Sequence, residues 1–158
     1  MKLLLVAVTA FAICRCAQAQ TGAEVFSGRV VTSRLAELAQ QAKASGGSGA
    51  TLADYKSHAI KLSVRAASGG AEVHAHYDDI FVVTEGQATL ITGGTVENPK
   101  AGSDGETTGS GIQNGRSQTI AKGDIVHIRA GVPHQLIVAP GTVYSSIVVK
   151  VRESSERP

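Results

Sequence analysis

The chain has no tryptophan, only three phenylalanines and three tyrosines, and two cysteines, Cys14 and Cys16, which both lie near its start. So few aromatic side chains, without any basic cluster, do not suit the stacking and charge pairing that nucleic acids require. The chain after residue 19 has no cysteine, and hence neither a disulfide nor a thiolate ligand. A metal site in that part would therefore use histidine and carboxylate ligands.

The first 19 residues have the parts of a secretory signal. Lys2 precedes an apolar run over 3–13, and the small residues Ala17 and Ala19 form an Ala-x-Ala cleavage site. The run is too short to span a bilayer. We expect cleavage after Ala19, a mature chain without a membrane span, and a periplasmic or extracellular location. Lys2 and Arg15 leave with the signal, so the mature chain would carry equal numbers of basic and acidic residues.

One helix and a series of strands are predicted after the signal. Residues 32–42 combine a capping hydroxyl with apolar positions at helical spacing, and predict a short helix inside an N-terminal extension over 20–57. In 58–65, Ile60, Leu62 and Val64 alternate with polar residues, which predicts a strand with these three facing inward. Further strands are predicted at 72–76, 80–84, 87–92, 117–120, 125–128, 135–138 and 143–152.

Turn-forming residues separate most of these strands, as is typical of a sandwich or barrel. The barrel would occupy 58–152 as one domain, followed by a tail over 153–158. Within it, residues 97–116 have no apolar period and predict a long loop, either a lid or a tolerated insertion.

The five histidines are the main candidates for chemistry. His74 and His76 stand two residues apart in a predicted strand, and the strand period of two places both imidazoles on one face. One strand can offer two nitrogen ligands to a single ion in this way. Two surface histidines have the same spacing by chance, so the surrounding sequence decides between these interpretations.

Two segments together resemble the two sequence motifs of the cupin superfamily. The first, over 69–86, has glycines, a His-x-His, a carboxylate and, after six intervening residues, Gly86. The second, over 123–134, has Gly-Asp, an apolar strand and a Gly-x-Pro-His turn that ends at His134. The resemblance spans about 58–151. It implies an all-β fold, a double-stranded β-helix or jelly-roll barrel with its site inside. It is less specific for activity, because one fold hosts many functions.

The resemblance also implies one divalent transition metal (Fe, Mn, Zn, Ni, Co or Cu) held by three histidines and a carboxylate. Matched position by position, His74 and His76 are the first two ligands and His134 is the third. Asp79 occupies the carboxylate position in place of the usual glutamate, and its link from His76 is one residue shorter than the usual pattern. Asp78 or a water molecule is the alternative fourth ligand.

Three further side chains are candidates for contact with a substrate or with the ligands. Arg129 stands where the second motif usually has proline, and its guanidinium would suit a substrate carboxylate. His58 shares the strand face predicted to point inward, and would act as an acid–base group. Tyr77 follows the His-x-His at the barrel rim. Solvation at a strand end, or ordinary packing, is the alternative for each, and His127 is expected to be a packed or surface histidine.

These features predict a metal-dependent enzyme of the dioxygenase, isomerase or lyase type that acts on a small oxygenated organic molecule. A non-catalytic exported module that binds metal or a small ligand is the alternative. A third hypothesis keeps the barrel and treats the histidines as cavity lining without a metal. Nucleic acid is not an expected partner, whereas a homodimer formed through strand exchange or sheet edges is.

Overall fold

The structure is a computed structural model that describes residues 22–153. The predicted signal over 1–19 lies outside the described residues, as does all but the first residue of the predicted tail over 153–158. Within 22–153, one helix is followed by thirteen strands. The elements are α1 Gly28–Ser45, β1 Gly47–Asp54, β2 His58–Arg65, β3 Ala71–His74, β4 Tyr77–Glu85, β5 Gln87–Thr92, β6 Thr95–Glu97, β7 Lys100–Ala101, β8 Glu106–Gly109, β9 Gly111–Gln113, β10 Arg116–Ala121, β11 Ile125–Ile128, β12 His134–Ile137 and β13 Tyr144–Arg152.

Most of the strands belong to two antiparallel sheets that face each other. Sheet A has the order β1-β2-β13-β4-β11, and sheet B has the order β10-β5-β12-β3-β8-β7. The short strands β6 and β9 form a separate pair. The architecture is therefore the all-β jelly roll with one N-terminal helix that the sequence predicts.

An apolar core joins the two sheets inside the barrel. Phe81 and Val148 from sheet A pack in one cluster with Leu90 and Leu136 from sheet B. Fully burying side chains of this size contributes about 1.5–3 kcal/mol each. Phe81, Leu136 and Val148 also line the cavity described below. The apolar core thus supports one side of the functional site.

Helix α1 is longer than the predicted helix over 32–42. Ser27 Oγ accepts a hydrogen bond from the backbone N–H of Val30 and caps the helix. The helix ends at Gly46, whose φ of 84° suits glycine. Within residues 22–153, no helix combines the length and the apolar character needed to cross a membrane.

The two faces of β2 are reversed relative to the prediction. Leu62 and Val64, each 1% exposed, pack against α1 on the outside of the barrel. Lys61, Ser63 and Arg65 line the cavity inside it. The alternation was predicted correctly, but the assignment of its faces was wrong. Because α1 supplies a second apolar layer, the apolar face of this strand is the outer one.

Two segments predicted to lack strands contain them. β1, placed by the prediction in an extension before the barrel, pairs with β2 from Gly47↔Arg65 to Asp54↔Ala59 and belongs to sheet A. The segment 97–116, predicted as a long loop, contains β7, β8 and β9, and β8 pairs with β3. These strands are glycine-rich or very short and carry little apolar alternation, so the pattern that reveals the other strands does not reveal them.

Candidate metal centre

A cavity of about 620 Å³ with both polar and apolar walls opens between the two sheets. This size is typical of sites that hold a small molecule. His74 and His134 lie in its wall and are 7% and 4% exposed. Three cations and three carboxylates also line it, namely Lys61, Arg65, Lys150, Glu72, Asp79 and Glu106.

Glu72, His74 and His134 converge in the wall of this cavity. We call the group that they form the centre. One ligand atom from each lies within 4.8 Å of the others. Glu72 and His74 are two residues apart on β3 and therefore share a face. His134 is the first residue of β12, and its register partner on β3 is Glu72. Strand pairing thus brings the two imidazoles and the carboxylate together.

Asp79 joins the group from sheet A. Its Oδ2 lies 3.3 Å from His74 Nε2 and 3.8 Å from His134 Nε2. Glu72 Oε2 approaches His74 Nε2 to 3.8 Å from the sheet B side. The centre therefore has two imidazole nitrogens with a carboxylate from each of the two sheets.

This donor set fits a divalent transition metal. Ligand atoms about 2.1 Å from one ion are at most about 4.2 Å apart. The three separations between histidine and carboxylate atoms, from 3.3 to 3.8 Å, satisfy that limit. Two histidines with one carboxylate are the ligands of many Fe(II) sites, and similar sets bind Zn(II) or Mn(II).

The hydrogen bonds of the two imidazoles direct the same ring nitrogen of each toward the centre. His74 Nδ1 donates to Glu106 Oε2, which lies opposite it on β8. His134 Nδ1 donates to the backbone carbonyl of Val132 at 3.1 Å. In the neutral form of each ring, a proton on Nδ1 leaves the Nε2 lone pair directed toward the centre. Contacts of this kind fix the tautomer and orientation of metal-binding histidines.

The turn before β12 positions His134. Gly131 has a φ of 76°, a conformation that suits glycine, and its N–H donates to the carbonyl of His74 at 2.9 Å. This bond ties the turn that carries His134 to the end of the strand that carries His74. The tight Gly-Val-Pro turn before His134 is therefore present, as the second motif implies.

Each carboxylate at the centre uses its other oxygen to bind a cation. Glu72 Oε1 lies 3.3 Å from Arg65 Nη2, and this pair connects sheet B to sheet A. Asp79 Oδ1 lies 2.9 Å from Lys150 Nζ, its register partner across β4 and β13. The two ion pairs hold both carboxylates with one oxygen directed toward the imidazoles.

Burial and neighbouring charges shift the pKa values of these groups in different directions. Burial disfavours protonation of His74, but the hydrogen bond and negative charge of Asp79 outweigh it and raise the pKa of His74. Burial lowers the pKa of His134. Burial opposes ionisation of Asp79, yet His74 and Lys150 hold the pKa of this carboxyl below its ordinary value. Asp79 is therefore a carboxylate at neutral pH.

The structure does not bring His76 to the centre. β3 ends at His74, and His76 lies in the following turn, exposed and beside Gly105. The prediction that His74 and His76 share a strand face is wrong because the strand ends between them. Glu72, two residues before His74 on the same face, is the residue that the sequence analysis missed.

The spacing of the first motif contains a signal for this register. Counting back from Gly86, Asp79 is separated from it by six residues, and His74 is separated from Asp79 by four. Glu72 and His74 then occupy the two positions of the His-x-His, and the shortened link disappears. Gly86 has a φ of 73°, and a Cβ there would lie 2.1 Å from the carbonyl oxygen of Val143, so only glycine fits.

Asp78, the alternative to Asp79, lies outside the centre. Its Oδ1 accepts a hydrogen bond from the backbone N–H of Ala130 at 2.8 Å, and its Oδ2 lies 3.0 Å from His127 Nε2. Both contacts connect β4 to the end of β11 and the turn that follows. Of the two neighbouring aspartates, the structure therefore places Asp79 beside the imidazoles.

Three other candidates are not part of the cavity wall. His58 lies on the outer face of β2, with its ring centroid 4.7 Å from that of Tyr55. Arg129 is exposed. The hydroxyl of Tyr77 donates to Asp104 at 2.8 Å and accepts from Arg152, in a cluster at the surface.

Comparisons with known proteins show the fold. No family model matches the chain, and no curated protein matches its sequence. An uncharacterised conserved protein with a double-stranded β-helix domain from Klebsiella pneumoniae subsp. pneumoniae has a TM-score of 0.57 and 14% identity, over 85% of this chain and 95% of that one. The polyketide cyclase RemF from Streptomyces resistomycificus has a TM-score of 0.50 and 17% identity, over 69% and 68%. The cupin domain of Cnp3 from Schizosaccharomyces pombe has a TM-score of 0.50 and 10% identity, over 68% and 61%.

These likenesses establish that the barrel has the double-stranded β-helix fold of cupin domains. Identities of 10–17% carry the fold alone. The features of this protein that bear on its function are the residues of its own cavity.

Proposed function

We propose that the barrel binds one divalent transition metal at Glu72, His74 and His134, with Asp79 as a fourth ligand, and that the loaded protein is an enzyme. Its substrate would be a small oxygenated organic molecule. The observation that carries the proposal is the convergence of two imidazole Nε2 atoms and two carboxylates in the wall of a 620 Å³ cavity. When bound, such an ion polarises a substrate oxygen or acidifies a water molecule.

The surrounding residues hold these side chains in place before any ligand arrives. Glu106 and the carbonyl of Val132 fix the two rings. Arg65 and Lys150 fix the two carboxylates. Sites perform best when supporting contacts lock their functional side chains, because little reorganisation is then needed.

Asp79 enters the proposal as an ionised ligand. His74 and Lys150 hold its pKa below the ordinary value, so Oδ2 is an unprotonated oxygen beside both imidazoles. Isomerase and lyase chemistry would use the ion that it helps to hold as a Lewis acid. Dioxygenase chemistry is the other reaction class that this donor set supports.

Elemental analysis tests the metal part of the proposal. Protein stripped with a chelator, dialysed against Fe, Mn, Zn, Ni, Co or Cu in separate samples and freed of excess ion should retain about one equivalent of at least one of them. Retention of none would contradict the proposal. The metal retained on purification, measured by the same method, separates oxygen chemistry from Lewis-acid chemistry.

Activity is tested with the loaded protein. Oxygen uptake and substrate loss are followed with small phenols, keto acids and sugars, and stripped protein serves as the control. Turnover that depends on the metal would support the enzyme. One metal equivalent without any turnover would favour a non-catalytic binding module, the second candidate. That candidate is supported by the ion pairs of Arg65 and Lys150, which leave few charged groups of the wall free for catalysis.

Export after cleavage behind Ala19 is part of the same proposal. It is supported by Lys2, the apolar run over 3–13 and the small residues Ala17 and Ala19. The intact mass of protein recovered from the periplasm or the culture medium should correspond to a chain that begins at Gln20. A chain of full length that stays inside the producing cell would contradict export.

A further inference from the structure

Lys61 is the one cation in the cavity wall that has no ion-pair partner among residues 22–153. The other two, Arg65 and Lys150, are paired with the carboxylates of the centre. Lys61 lies on the inner face of β2 and is half-buried. An ammonium group in such a place is stabilised by an anion, because burial removes part of its hydration.

Hydroxyl groups lie next to Lys61 on the same face of sheet A. Ser63 is the next inward residue of β2, and its register partner on β13 is Ser146. Both residues line the cavity. The Oγ of Ser146 is enclosed and lies within reach of the Tyr144 hydroxyl. Ser63, which is half-buried, is therefore the hydroxyl that a molecule in the cavity would meet.

Register places this group at a useful distance from the centre. Val148 of β13 pairs with Lys61 on one side and with Phe81 on the other, and Asp79 lies two residues before Phe81. Two strand spacings and two residues along the strand put the Cα atoms of Lys61 and Asp79 about 12 Å apart. Lys61 and the two imidazoles line the same cavity of about 620 Å³, a volume that accommodates a small molecule.

The charge balance of the cavity favours an anion. Its three cations and three carboxylates cancel formally. A divalent ion at the centre would therefore leave the cavity positive. The single unpaired ammonium, with the Ser63 hydroxyl at the next inward position of its strand, suits a monovalent carboxylate better than a phosphate dianion, which usually recruits several cations or backbone N–H groups.

We infer that the cavity binds a small organic carboxylate, with its carboxylate at Lys61 and Ser63 and the rest of the molecule directed toward the imidazoles. This inference rests on the proposed function and names its substrate class. Lys61 is a specificity residue in this arrangement, because it selects the charged end of the ligand without touching the metal ligands.

Calorimetric titration with benzoate and acetate tests the inference, with benzamide and acetamide as neutral matches. The metal-loaded protein should bind at least one of the carboxylates and neither amide. Lys61→Met should weaken that binding at least tenfold, and Lys61→Arg should restore most of it. Lys56→Met, which removes the same charge from an exposed turn outside the cavity, should leave the affinity unchanged.

Metal content and thermal unfolding, measured on the same samples, separate the two proposals. Metal retained by wild-type protein that binds neither carboxylate would overturn the inference and leave the metal centre standing. If the protein retains no metal after loading and still binds a carboxylate in a way that depends on Lys61, the anion site is supported and the metal proposal is contradicted. Equal affinity in wild-type protein and in a folded Lys61→Met or Lys61→Gln variant would overturn the inference.

Discussion

Glu106 Oε2 accepts a hydrogen bond from His74 Nδ1, so the opposite ring nitrogen, Nε2, faces Asp79 Oδ2 at 3.3 Å. Glu106 thereby determines which nitrogen of His74 faces the cavity. It lies on β8, a strand of four residues without apolar alternation that pairs with β3. The orientation of the His74 ring thus depends on this short strand.

Removing Glu106 should weaken metal binding without abolishing it. Loss of a carboxylate that orients a metal-binding histidine typically lowers metal affinity about 10–100-fold. We expect this loss in Glu106→Ala and a smaller one in Glu106→Gln, whose amide oxygen still accepts a hydrogen bond. Competition with a chelator of known affinity measures it. Glu85→Ala, at an exposed surface pair with Lys122, is the control, and an equal loss in that variant would contradict the positioning role.

The two neighbouring histidines should behave differently. His74→Ala should lose the bound metal, because it removes a buried Nε2 at the centre. His76→Ala should keep about one equivalent, because His76 lies in an exposed turn. Elemental analysis of both folded variants measures the difference. Loss of metal in His76→Ala would show that the register derived from β3 is wrong.

Glu72→His tests the same register from the other side. It would place two histidines at 72 and 74 on one face of β3, which matches the His-x-His of the resembled motif. We expect this variant to retain about one equivalent of metal and Glu72→Ala to bind it more weakly than wild-type protein. Titration of stripped protein with Zn²⁺ and Co²⁺ compares them. Equal affinities of wild-type protein and Glu72→Ala would remove Glu72 from the ligand set.

Asp79 should make the metal-free protein dependent on pH. Because the folded state holds the pKa of Asp79 below its ordinary value, its ion pair stabilises the fold above the ordinary carboxyl pKa. This contribution is lost as the pH falls through the lowered pKa. Asp79→Asn should therefore reduce the free energy of unfolding near neutral pH by about 1–3 kcal/mol, and the difference from wild type should shrink in acid.

Urea unfolding of stripped protein between neutral and acidic pH measures this dependence. Asp54→Asn, at an exposed position at the end of β1, is the control and should follow the wild-type profile. Wild-type and Asp79→Asn curves that stay parallel down to the most acidic pH would show that the pair with Lys150 does not stabilise the ionised form.

The cluster between α1 and sheet A should matter for stability and not for the metal. Leu62→Ala removes a side chain that is 1% exposed outside the barrel. We expect it to lower the free energy of unfolding by about 2–5 kcal/mol, with metal stoichiometry unchanged. Val30→Ala, at a position 47% exposed, should change stability by less than about 0.5 kcal/mol. Loss of metal in folded Leu62→Ala would contradict the separation of the two regions.

The sequence predicts most of the barrel because its strands carry apolar alternation. β2, β5 and β11 have the bounds that the pattern predicts. β1 was missed, since glycines at 47 and 49 obscure its pattern and its pairing with β2 supplies most of its order. β8 was missed because it is held by backbone pairing to β3. Hydropathy detects strands that bury side chains and overlooks strands that mainly pair backbones.

The site was predicted in part. The resemblance to the cupin motifs points to His74 and His134, and the structure brings both to the centre. His76 was chosen because the strand period of two assumes that the strand continues through it. β3 ends two residues earlier, at His74. No sequence signal marks Glu106. Lys61 was placed opposite the predicted inward face because the helix that covers the apolar face of β2 is not visible in the alternation itself.

Helix α1 has a consequence for how this protein can change. Because Leu62 and Val64 pack against the helix on the outer face of β2, that strand is anchored without its cavity-facing side chains at 61 and 63. Substitutions at 61 and 63 can therefore alter which molecule the barrel admits while the fold tolerates them. In β2, the outer face contributes to the stability of the fold, and the inner face determines which ligand the cavity accepts.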